Sequence, residues 1–255
     1  MGLPDPVFPP LLAGHPVAAG TVPFEVAVAG AETGELGAGD LVWSRSLERI
    51  ELALVLEPEV GADRVQEMLF LAMVATTDAI GALIPPEIAL TYLWPATLRA
   101  NGAAVGRAKL AQSVELDESG APAWLVVGLS LQLAPLTGPL EPGEVPHLTS
   151  LVDEGAAELD RTQAVESLSR HLLTWIHTWD VDGFAPVLEN WLFRADGYRA
   201  QVVLETGDGP RSGRFVGLDE KGNLLMKPDN ADSGQTIALP LDDALAYLDE
   251  TETRP

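Results

Sequence analysis

Three basic residues stand close together in a chain that is otherwise strongly acidic. Arg99, Arg107 and Lys109 fall between Glu87 and Glu115, a stretch that contains no acidic residue. The whole chain has 15 Lys and Arg against 38 Asp and Glu, which gives a formal charge of −23. Such a chain repels anions at long range, so an anionic ligand needs a local group of cations that donate charge-assisted hydrogen bonds. We therefore predict an anion-binding site here; the alternative is that the three side chains lie on solvated faces.

A β-hairpin is the element that would position these residues. Asn101–Gly102 is a strong signal for a two-residue hairpin turn. Counted from that turn, Arg99 lies roughly opposite Ala104, and Arg107 lies about three positions further along the second strand. The two guanidinium groups, on long side chains, could then converge on one carboxylate or phosphate. Asn101 and Gly102 are themselves candidate ligand-binding residues at this turn.

Further candidate ligand-binding residues lie outside the basic stretch. Arg45 and Arg49 could face the same cleft; the alternative is that both are solvated and paired with neighbouring glutamates. Trp43 and Trp94 could form the wall of an apolar pocket for an acyl chain or a ring, although core packing is the usual role of tryptophan. Thr97 could donate a hydrogen bond to a ligand or serve only as a strand residue.

Composition and motifs argue against several other kinds of chemistry. The chain has no Cys, which excludes thiolate nucleophiles, disulfides and Cys-ligated metals. Its four His show no metal-ligand spacing, so we predict no metal site. There is no Gly-x-Ser-x-Gly elbow and no phosphate-binding glycine loop. The acidity argues against a protein that coats nucleic acid or binds an anionic membrane.

Hydrophobic patterning predicts an α/β chain with two domains. Residues 1–23 are Pro-rich and should form an extended N-terminal segment. Residues 24–190 combine helical and strand patterns and should form the larger domain. After Gly183 the pattern changes to short strands of period two, which predicts a small β-barrel over 191–245. Residues 241–248 should form a short helix that closes the barrel, and residues 246–255 should form a C-terminal tail that is frayed over 249–255.

Three helices and one long loop are expected within the larger domain. The first would lie in 24–39, with interruptions at its glycines. The second would begin at a cap on Asp63 and run to about Leu83, and the third would begin at a cap on Asp160. Residues 134–147 are rich in Pro and Gly and should form a loop.

Neither a signal peptide nor a membrane span is expected. The first 17 residues are interrupted by five prolines and have no basic region ahead of an apolar one. The longest apolar run, around Met68 to Ala75, is far shorter than the roughly 20 residues that a membrane-spanning helix needs. We therefore predict a soluble, cytoplasmic protein.

Four segments between about residue 90 and residue 245 follow one another in the order of a known family. They are Trp94–Pro95 with the Asn101–Gly102 turn after it, the strand at 125–133, Thr149–Ser150–Leu151, and the hairpin at 213–226. Together they resemble the biotin protein ligases, within the wider biotin/lipoate ligase superfamily. The resemblance implies an α+β fold: a mixed, largely antiparallel sheet flanked by helices, followed by a small SH3-like β-barrel.

The chain departs from the resembled family at the residues that perform its reaction. That family makes an acyl-adenylate from biotin and ATP and transfers biotin to a lysine of an acceptor protein, using a Gly/Arg-rich loop, an Asp and a Lys. Residues 44–51 are too few for such a loop, Thr97 stands at the Asp position and Ala104 at the Lys position. Gln132, another candidate ligand-binding residue, replaces an Asn of the family. The active site is therefore predicted to be divergent.

Lys109 is the lysine nearest to the position where the family's lysine is missing. It lies five positions after Ala104. Because side chains alternate between the faces of a strand, this odd offset reverses the face. Lys109 therefore cannot take the place of that lysine unless a β-bulge intervenes.

Two functions remain open. In the first, the chain binds a small anionic ligand such as biotin, lipoate or an acyl-adenylate-like molecule and transfers it to an acceptor protein; an octanoyl or lipoyl transferase is the nearest enzymatic variant. In the second, the chain is a non-catalytic module that kept the fold and binds a ligand or a protein. The resemblance also implies a homodimer as an option. Biotin-dependent exchange between ATP and pyrophosphate at a rate typical of a ligase is not expected.

Overall fold

The computed structural model describes residues 3–136, 147–229 and 235–252 of the chain. Most of the loop predicted at 134–147 lies outside these residues. The described strands, in chain order, are β1 (Ala13–Val17), β2 (Asp40–Ser44), β3 (Arg49–Leu56), β4 (Leu90–Leu93), β5 (Thr97–Ala100), β6 (Ala103–Gln112), β7 (Leu125–Gln132), β8 (Gln201–Leu204), β9 (Arg211–Leu218), β10 (Leu224–Pro228) and β11 (Ile237–Leu239). The described helices are α1 (Pro23–Thr33), α2 (Glu67–Gly81), α3 (Arg161–Asp182), α4 (Ala185–Arg194) and α5 (Leu241–Glu252).

Seven strands form one mixed sheet, in the order β1-β2-β3-β7-β6-β5-β4. Only the pair of β1 and β2 is parallel, and the other neighbours in this sheet are antiparallel. The Pro-rich N-terminal segment therefore supplies an edge strand, where Pro16 is tolerated because an edge residue has no ladder partner on its outer side. The mixed, largely antiparallel sheet that the resemblance implied is confirmed.

Helices cover both faces of the large sheet. On one face α1 packs through Ala27 and Ala31 against Val55 of β3 and Val126 of β7. On the other face α2, α3 and α4 enclose the main core, which includes Leu129 and the other large apolar residues of β7. Side chains alternate along β7, so the residues that do not enter the main core point towards the α1 face.

The predicted first residue is confirmed for one helix and wrong for another. The Asp160 carboxylate accepts a hydrogen bond from the Gln163 N–H at 2.9 Å, so the predicted cap of α3 is confirmed. The predicted cap at Asp63 is wrong, because 62–66 form turns and α2 begins at Glu67. Glu67 is buried and its carboxylate accepts two hydrogen bonds from the Arg64 guanidinium.

α1 runs through the first of its two glycines and ends at the second. A Cβ at Gly30 would lie 2.5 Å from a methyl carbon of Leu36, so the absence of a side chain lets the next segment pack closely. Gly34 has φ +73° and receives the end of the helix in a left-handed conformation. The predicted interruption at Gly30 is therefore wrong, and the one at Gly34 is confirmed.

Four strands form the second sheet, in the order β11-β10-β9-β8, with all neighbours antiparallel. The sheet agrees with the small barrel-like domain expected after the ligase-like domain. It packs against the main core through Phe215 and Met226, and the Trp94 indole donates to the Gly222 carbonyl at 3.0 Å.

The domain limits at 24–190 and 191–245 remain predictions; residue 191 lies within α4. The predicted frayed tail is wrong as far as Glu252, because α5 extends to that residue.

Within the described ranges, no helix is both long enough and apolar enough to cross a membrane.

Candidate functional site

The hairpin of β5 and β6 has the predicted turn and register. Asn101 and Gly102 both have positive φ, +48° and +92°, which is the backbone of a two-residue hairpin turn that matches strand twist. Arg99 pairs with Ala104 as expected. One residue earlier on β5, Leu98 pairs with the residue at 106, so the residue between the two partners on β6 is extra. Val105 is therefore a β-bulge.

A glycine next to the bulge lets β6 approach β7 unusually closely. A Cβ at Gly106 would lie 2.2 Å from the backbone oxygen of Ser130 and 2.9 Å from the Cα of Leu131. No side chain fits between backbone atoms at these distances. The bulge and the glycine together set the position of the following residues of β6.

A cavity of about 710 Å³ opens on the α1 face of the sheet, beside this bulge. Its volume lies in the range of small-molecule sites. Ala104 and Lys109 both line it. The β-bulge at Val105 shifts the alternation of side chains along β6 by one residue. Lys109 therefore faces the same cavity as Ala104, which stands at the position of the missing lysine.

Charged residues of the cavity wall are mainly basic. Arg49, Arg107 and Lys109 line the cavity together with one carboxylate, that of Glu51. This balance contrasts with the formal charge of −23 for the chain. Two residues of the basic stretch, Arg107 and Lys109, thus line one cavity. That this cavity binds an anion stays a prediction.

Arg49 is held by a polar network across β3 and β7. Its guanidinium donates to Glu51 at 3.0 Å, to the Ser130 hydroxyl at 2.6 Å and to the Gln132 amide oxygen at 3.2 Å. The Gln132 amide in turn donates to the Ala134 carbonyl at 2.8 Å. Arg49 thus has three hydrogen-bond partners in the cavity wall, while its side chain is 46% exposed.

Arg107 and Lys109 lie on β6 opposite Ser130 and Gly128 of β7. The Arg107 guanidinium donates to Asp249 of α5 at 2.8 Å, and its side chain is 10% exposed. A glycine at 128 leaves space that the Phe24 ring of α1 occupies, since a Cβ there would lie 2.5 Å from that ring. The two cations therefore lie beside an aromatic wall.

Apolar side chains from three separate parts of the chain complete the cavity. They are Phe24 of α1, Leu136 after β7, and Leu248 of α5. A cavity with an apolar wall and cations on one side suits an acyl chain or a ring that carries an anionic end.

Another wall is formed by residues 147–149, which include only the first residue of the predicted Thr149–Ser150–Leu151 segment. The Thr149 N–H donates to the Ala104 carbonyl at 2.9 Å, and the Ala104 N–H donates to the His147 carbonyl at 2.8 Å. The Thr149 hydroxyl donates to Glu154 at 2.6 Å. Segment 147–149 therefore runs along the bulged end of β6 and keeps Ala104 at the cavity surface.

The connection between β2 and β3 is short and tight. It comprises the four residues 45–48. The Ser46 hydroxyl oxygen accepts hydrogen bonds from the N–H groups of Glu48 and Arg49, both at 3.2 Å, which closes the turn on itself. No segment between these two strands extends far enough to fold over a ligand.

Of the predicted ligand-binding residues, Arg49, Thr97, Arg107, Lys109 and Gln132 line the cavity. They come from β3, β5, β6 and β7. The sheet order brings these strands side by side, so residues far apart in sequence meet on one face.

Arg99, Asn101 and Gly102 lie away from the cavity. Arg99 pairs with Asp196 at 2.6 Å and borders a second, smaller cavity of about 250 Å³. The Asn101 side chain accepts from the Ala89 N–H and donates to a glutamate, so it supports the turn itself. The expectation that Arg99 and Arg107 converge on one group is wrong for this arrangement, because each has a carboxylate partner on a different element.

Trp43, Arg45 and Trp94 also lie outside the main cavity. Trp43 is 2% exposed and packs in the core, with the Arg45 guanidinium 5.6 Å from its ring centroid. Arg45 also pairs with Asp5, and its hydrogen bond to that carboxylate lowers the pKa of Asp5. Trp94 borders the second cavity and donates to the small sheet. The core-packing alternative therefore describes both tryptophans.

Sequence reasoning missed several residues of the cavity. Phe24, Glu51, Ser130 and Leu248 line it but were not predicted. Glu51 and Ser130 alternate with apolar residues on their strands, a pattern that could have identified them as residues of one face. Phe24 and Leu248 give no such signal, because they reach the cavity through the packing of α1 and α5.

No group of three or more His, Asp or Glu that could hold a metal ion occurs among the residues that the structure describes.

Comparison with known proteins identifies relatives over most of the chain. A model of the biotin/lipoate A/B protein ligase family matches residues 8–193. A biotin–[acetyl-CoA-carboxylase] ligase of Paracoccus denitrificans is 31% identical over 175 residues, which are 68% of this chain and 72% of that protein. The bifunctional ligase/repressor BirA of Bacillus subtilis is 24% identical over 205 residues, which are 78% of this chain and 60% of that protein.

Solved structures with a similar fold include a biotin protein ligase and a ligase-like protein. A biotin protein ligase-like protein of unknown function from Silicibacter sp. TM1040 is 36% identical, with a TM-score of 0.80 over 94% of this chain and 99% of that one. The biotin protein ligase of Aquifex aeolicus in complex with biotin and ATP has a TM-score of 0.68 over 91% of this chain and 96% of that one. Its identity is 15%, so this second likeness concerns the fold alone.

Proposed function

Because this chain belongs to the biotin/lipoate A/B protein ligase family, we propose that its main cavity binds the carboxylate of biotin or of another acyl group. The observation that carries the proposal is a cavity that combines an apolar wall with Arg107 and Lys109 in a chain of charge −23. Solved ligases of this fold bind biotin or biotinyl-5-AMP, which supports a ligand of this class.

In this proposal Lys109 and Arg107 hold the anionic end of the ligand. Lys109 supplies a compact positive charge opposite Gly128, and Arg107 supplies a planar donor next to it. The acyl chain or ring lies against Phe24 and Leu248. Arg49 has its donors engaged by neighbouring strands, so we assign it to the cavity wall.

The binding proposal is tested by calorimetry with biotin, lipoate and octanoate. Removing one charge-assisted contact in Lys109→Ala should weaken binding by about 10- to 150-fold, which corresponds to roughly 1.5–3 kcal/mol. Lys221→Ala is the matched control, because it removes an exposed lysine of the small sheet's hairpin. Equal affinity of the parent and Lys109→Ala for every carboxylate that binds, or no binding of any of the three, would contradict the proposal.

We further propose that the chain transfers the acyl group of a pre-activated donor, such as an acyl-adenylate, to a lysine amine of an acceptor protein, with AMP as the leaving group and without efficient adenylation of its own. The name of the Paracoccus denitrificans relative supports an acceptor, since that protein is a ligase for acetyl-CoA carboxylase. The four-residue connection between β2 and β3 and Ala104 at the cavity surface support a divergent active site. The same two observations favour the second candidate, a binding module without catalysis.

Two assays separate these candidates. We expect little biotin-dependent exchange of pyrophosphate into ATP, and transfer of label from synthetic biotinyl-5-AMP to a biotin carrier domain if the chain is a transferase. A protein that binds carboxylates but transfers nothing is the binding module. Rapid exchange that Lys109→Ala abolishes would show that the chain adenylates its ligand. The cytoplasmic location and the homodimer stay predictions.

A further inference from the structure

Arg107, a cation of the proposed ligand site, is occupied by a carboxylate of the chain itself. The Arg107 guanidinium donates to Asp249 of α5 at 2.8 Å. Asp249 is 62% exposed, whereas the Arg107 side chain is 10% exposed. The preceding residue of α5, Leu248, lines the cavity. The end of α5 therefore places both an apolar side chain and an anionic one where a ligand with an apolar body and an anionic end would lie.

The start of α5 is anchored much more firmly than its end. Leu241 is 1% exposed, and its N–H donates to the Asn223 side chain at 2.9 Å. The Gln66 amide donates to Asp242 at 2.6 Å. From residue 244 onwards no described side chain of the helix is fully buried, and Ala244, Leu245 and Leu248 pack against the main core while partly exposed. The end of the helix is therefore less deeply buried than its first turn.

The end of α5 also depends on an external cation. A helix has a partial negative charge at its C-terminus, so acidic residues there are destabilising. Asp249 and Glu250 lie in the last turn, which has no basic residue. A 12-residue helix is marginal by itself in water. The contact with Arg107 therefore stabilises the part of the helix that is intrinsically weakest.

Arg49, the other arginine of the cavity, differs from Arg107 in where its hydrogen-bond partners lie. Its partners Glu51, Ser130 and Gln132 belong to the same sheet and are held in register. Strand pairing fixes the backbones of these partners next to Arg49. Asp249 belongs to a separate helix, so its contact with Arg107 can be lost when the end of that helix moves.

We propose that α5 is an autoinhibitory element: Asp249 takes the place of the ligand's anionic group on Arg107, and a ligand must displace the end of the helix to reach that cation. That Arg107 binds a ligand rests on the function proposed above, whereas the cover that α5 places over Arg107 follows from the contacts of the helix alone.

The first test needs no ligand. Phenylglyoxal modifies accessible arginines, and peptide mass spectrometry gives its rate at Arg107. In Asp249→Asn we expect this rate to rise by at least about twofold, in line with a half-exposed ion pair. Asp243→Asn, which removes the same charge from the exposed first turn of α5, should react like the parent. Equal rates in all three proteins, or an equal rise in both variants, would overturn the proposal.

The second test uses octanoate as the probe. Its affinity, measured by calorimetry on the full chain, should rise about two- to fivefold in Asp249→Asn and stay at the parental value in Asp243→Asn. Amide hydrogen exchange at 245–250 should also accelerate in the parent when octanoate binds. Unchanged affinity and exchange would overturn the proposal. If octanoate binds none of the proteins, octanoate is not a ligand of the function proposed above. The phenylglyoxal rates then still show whether α5 covers Arg107.

Discussion

Replacing Gly106 by alanine tests the close approach of β6 to β7 on which the site's geometry depends. The added Cβ would lie 2.2 Å from the backbone oxygen of Ser130 and 2.7 Å from a methyl carbon of Leu131. The methyl group can rotate away, but the backbone oxygen can move only with its strand. The substitution should therefore separate the two strands next to the bulge at Val105.

The expected cost follows from two opposing effects. Overpacking in a well-packed interior costs about 1–3 kcal/mol, and a backbone obstacle places this case at the upper end. The loss of glycine flexibility in the unfolded chain offsets about 0.4–1 kcal/mol of that cost. The net loss of about 2 kcal/mol should lower the Tm by roughly 4–8 °C in a protein of this size.

Thermal and urea unfolding, followed by circular dichroism, measure this effect. Gly81→Ala is the matched control, because Gly81 is the last residue of α2 and a Cβ there meets no atom within 4 Å. That variant should be as stable as the parent or more stable by up to about 1 kcal/mol. If Gly106→Ala unfolds within about 1 °C of the parent, the strands are further apart than the structure shows, and the position of Lys109 would need another explanation.

Three further substitutions test other contacts. Asp160→Ala removes the cap of α3 and should cost about 1 kcal/mol in urea unfolding. Trp94→Phe leaves the buried Gly222 carbonyl without its indole donor and should cost about 1–3 kcal/mol, with stability unchanged if that hydrogen bond does not form. Burial opposes ionisation of Asp40, but the Gly37 N–H donates to its carboxylate and holds its pKa below the ordinary 3.8. Asp40 therefore stabilises the fold above about pH 4 and loses this effect as the pH falls through its lowered pKa, so the cost of Asp40→Asn should shrink between pH 7 and pH 3.

Local features of the molecule followed from the sequence because neighbouring residues produce them. The Asn101–Gly102 turn needs two residues that tolerate positive φ, and both adopt it. The cap at Asp160 needs only a short acidic side chain ahead of an apolar helix. The basic stretch of β6 predicted a positive site because the charge of −23 makes any local group of cations unusual.

Helix boundaries show where local signals fail. Asp63 has the residue type of a cap, but the turns at 62–66 keep it outside α2. Gly30 is a poor helix residue by propensity, yet α1 continues through it because Leu36 packs against its bare Cα. In both cases tertiary packing contributes more than the propensity of one residue.

The sequence by itself determined the Asn101–Gly102 hairpin, the cap of α3 and the family-like order of motifs, because these depend on periodicity and on nearest neighbours. Only the tertiary structure decided which side chains share the cavity. The bulge at Val105 moves Lys109 to the cavity beside Ala104, and periodicity alone cannot place such an extra residue. The pairing of Arg107 with Asp249 joins residues 142 positions apart. Contacts of this range depend on how whole elements pack, and no short pattern of residues encodes them.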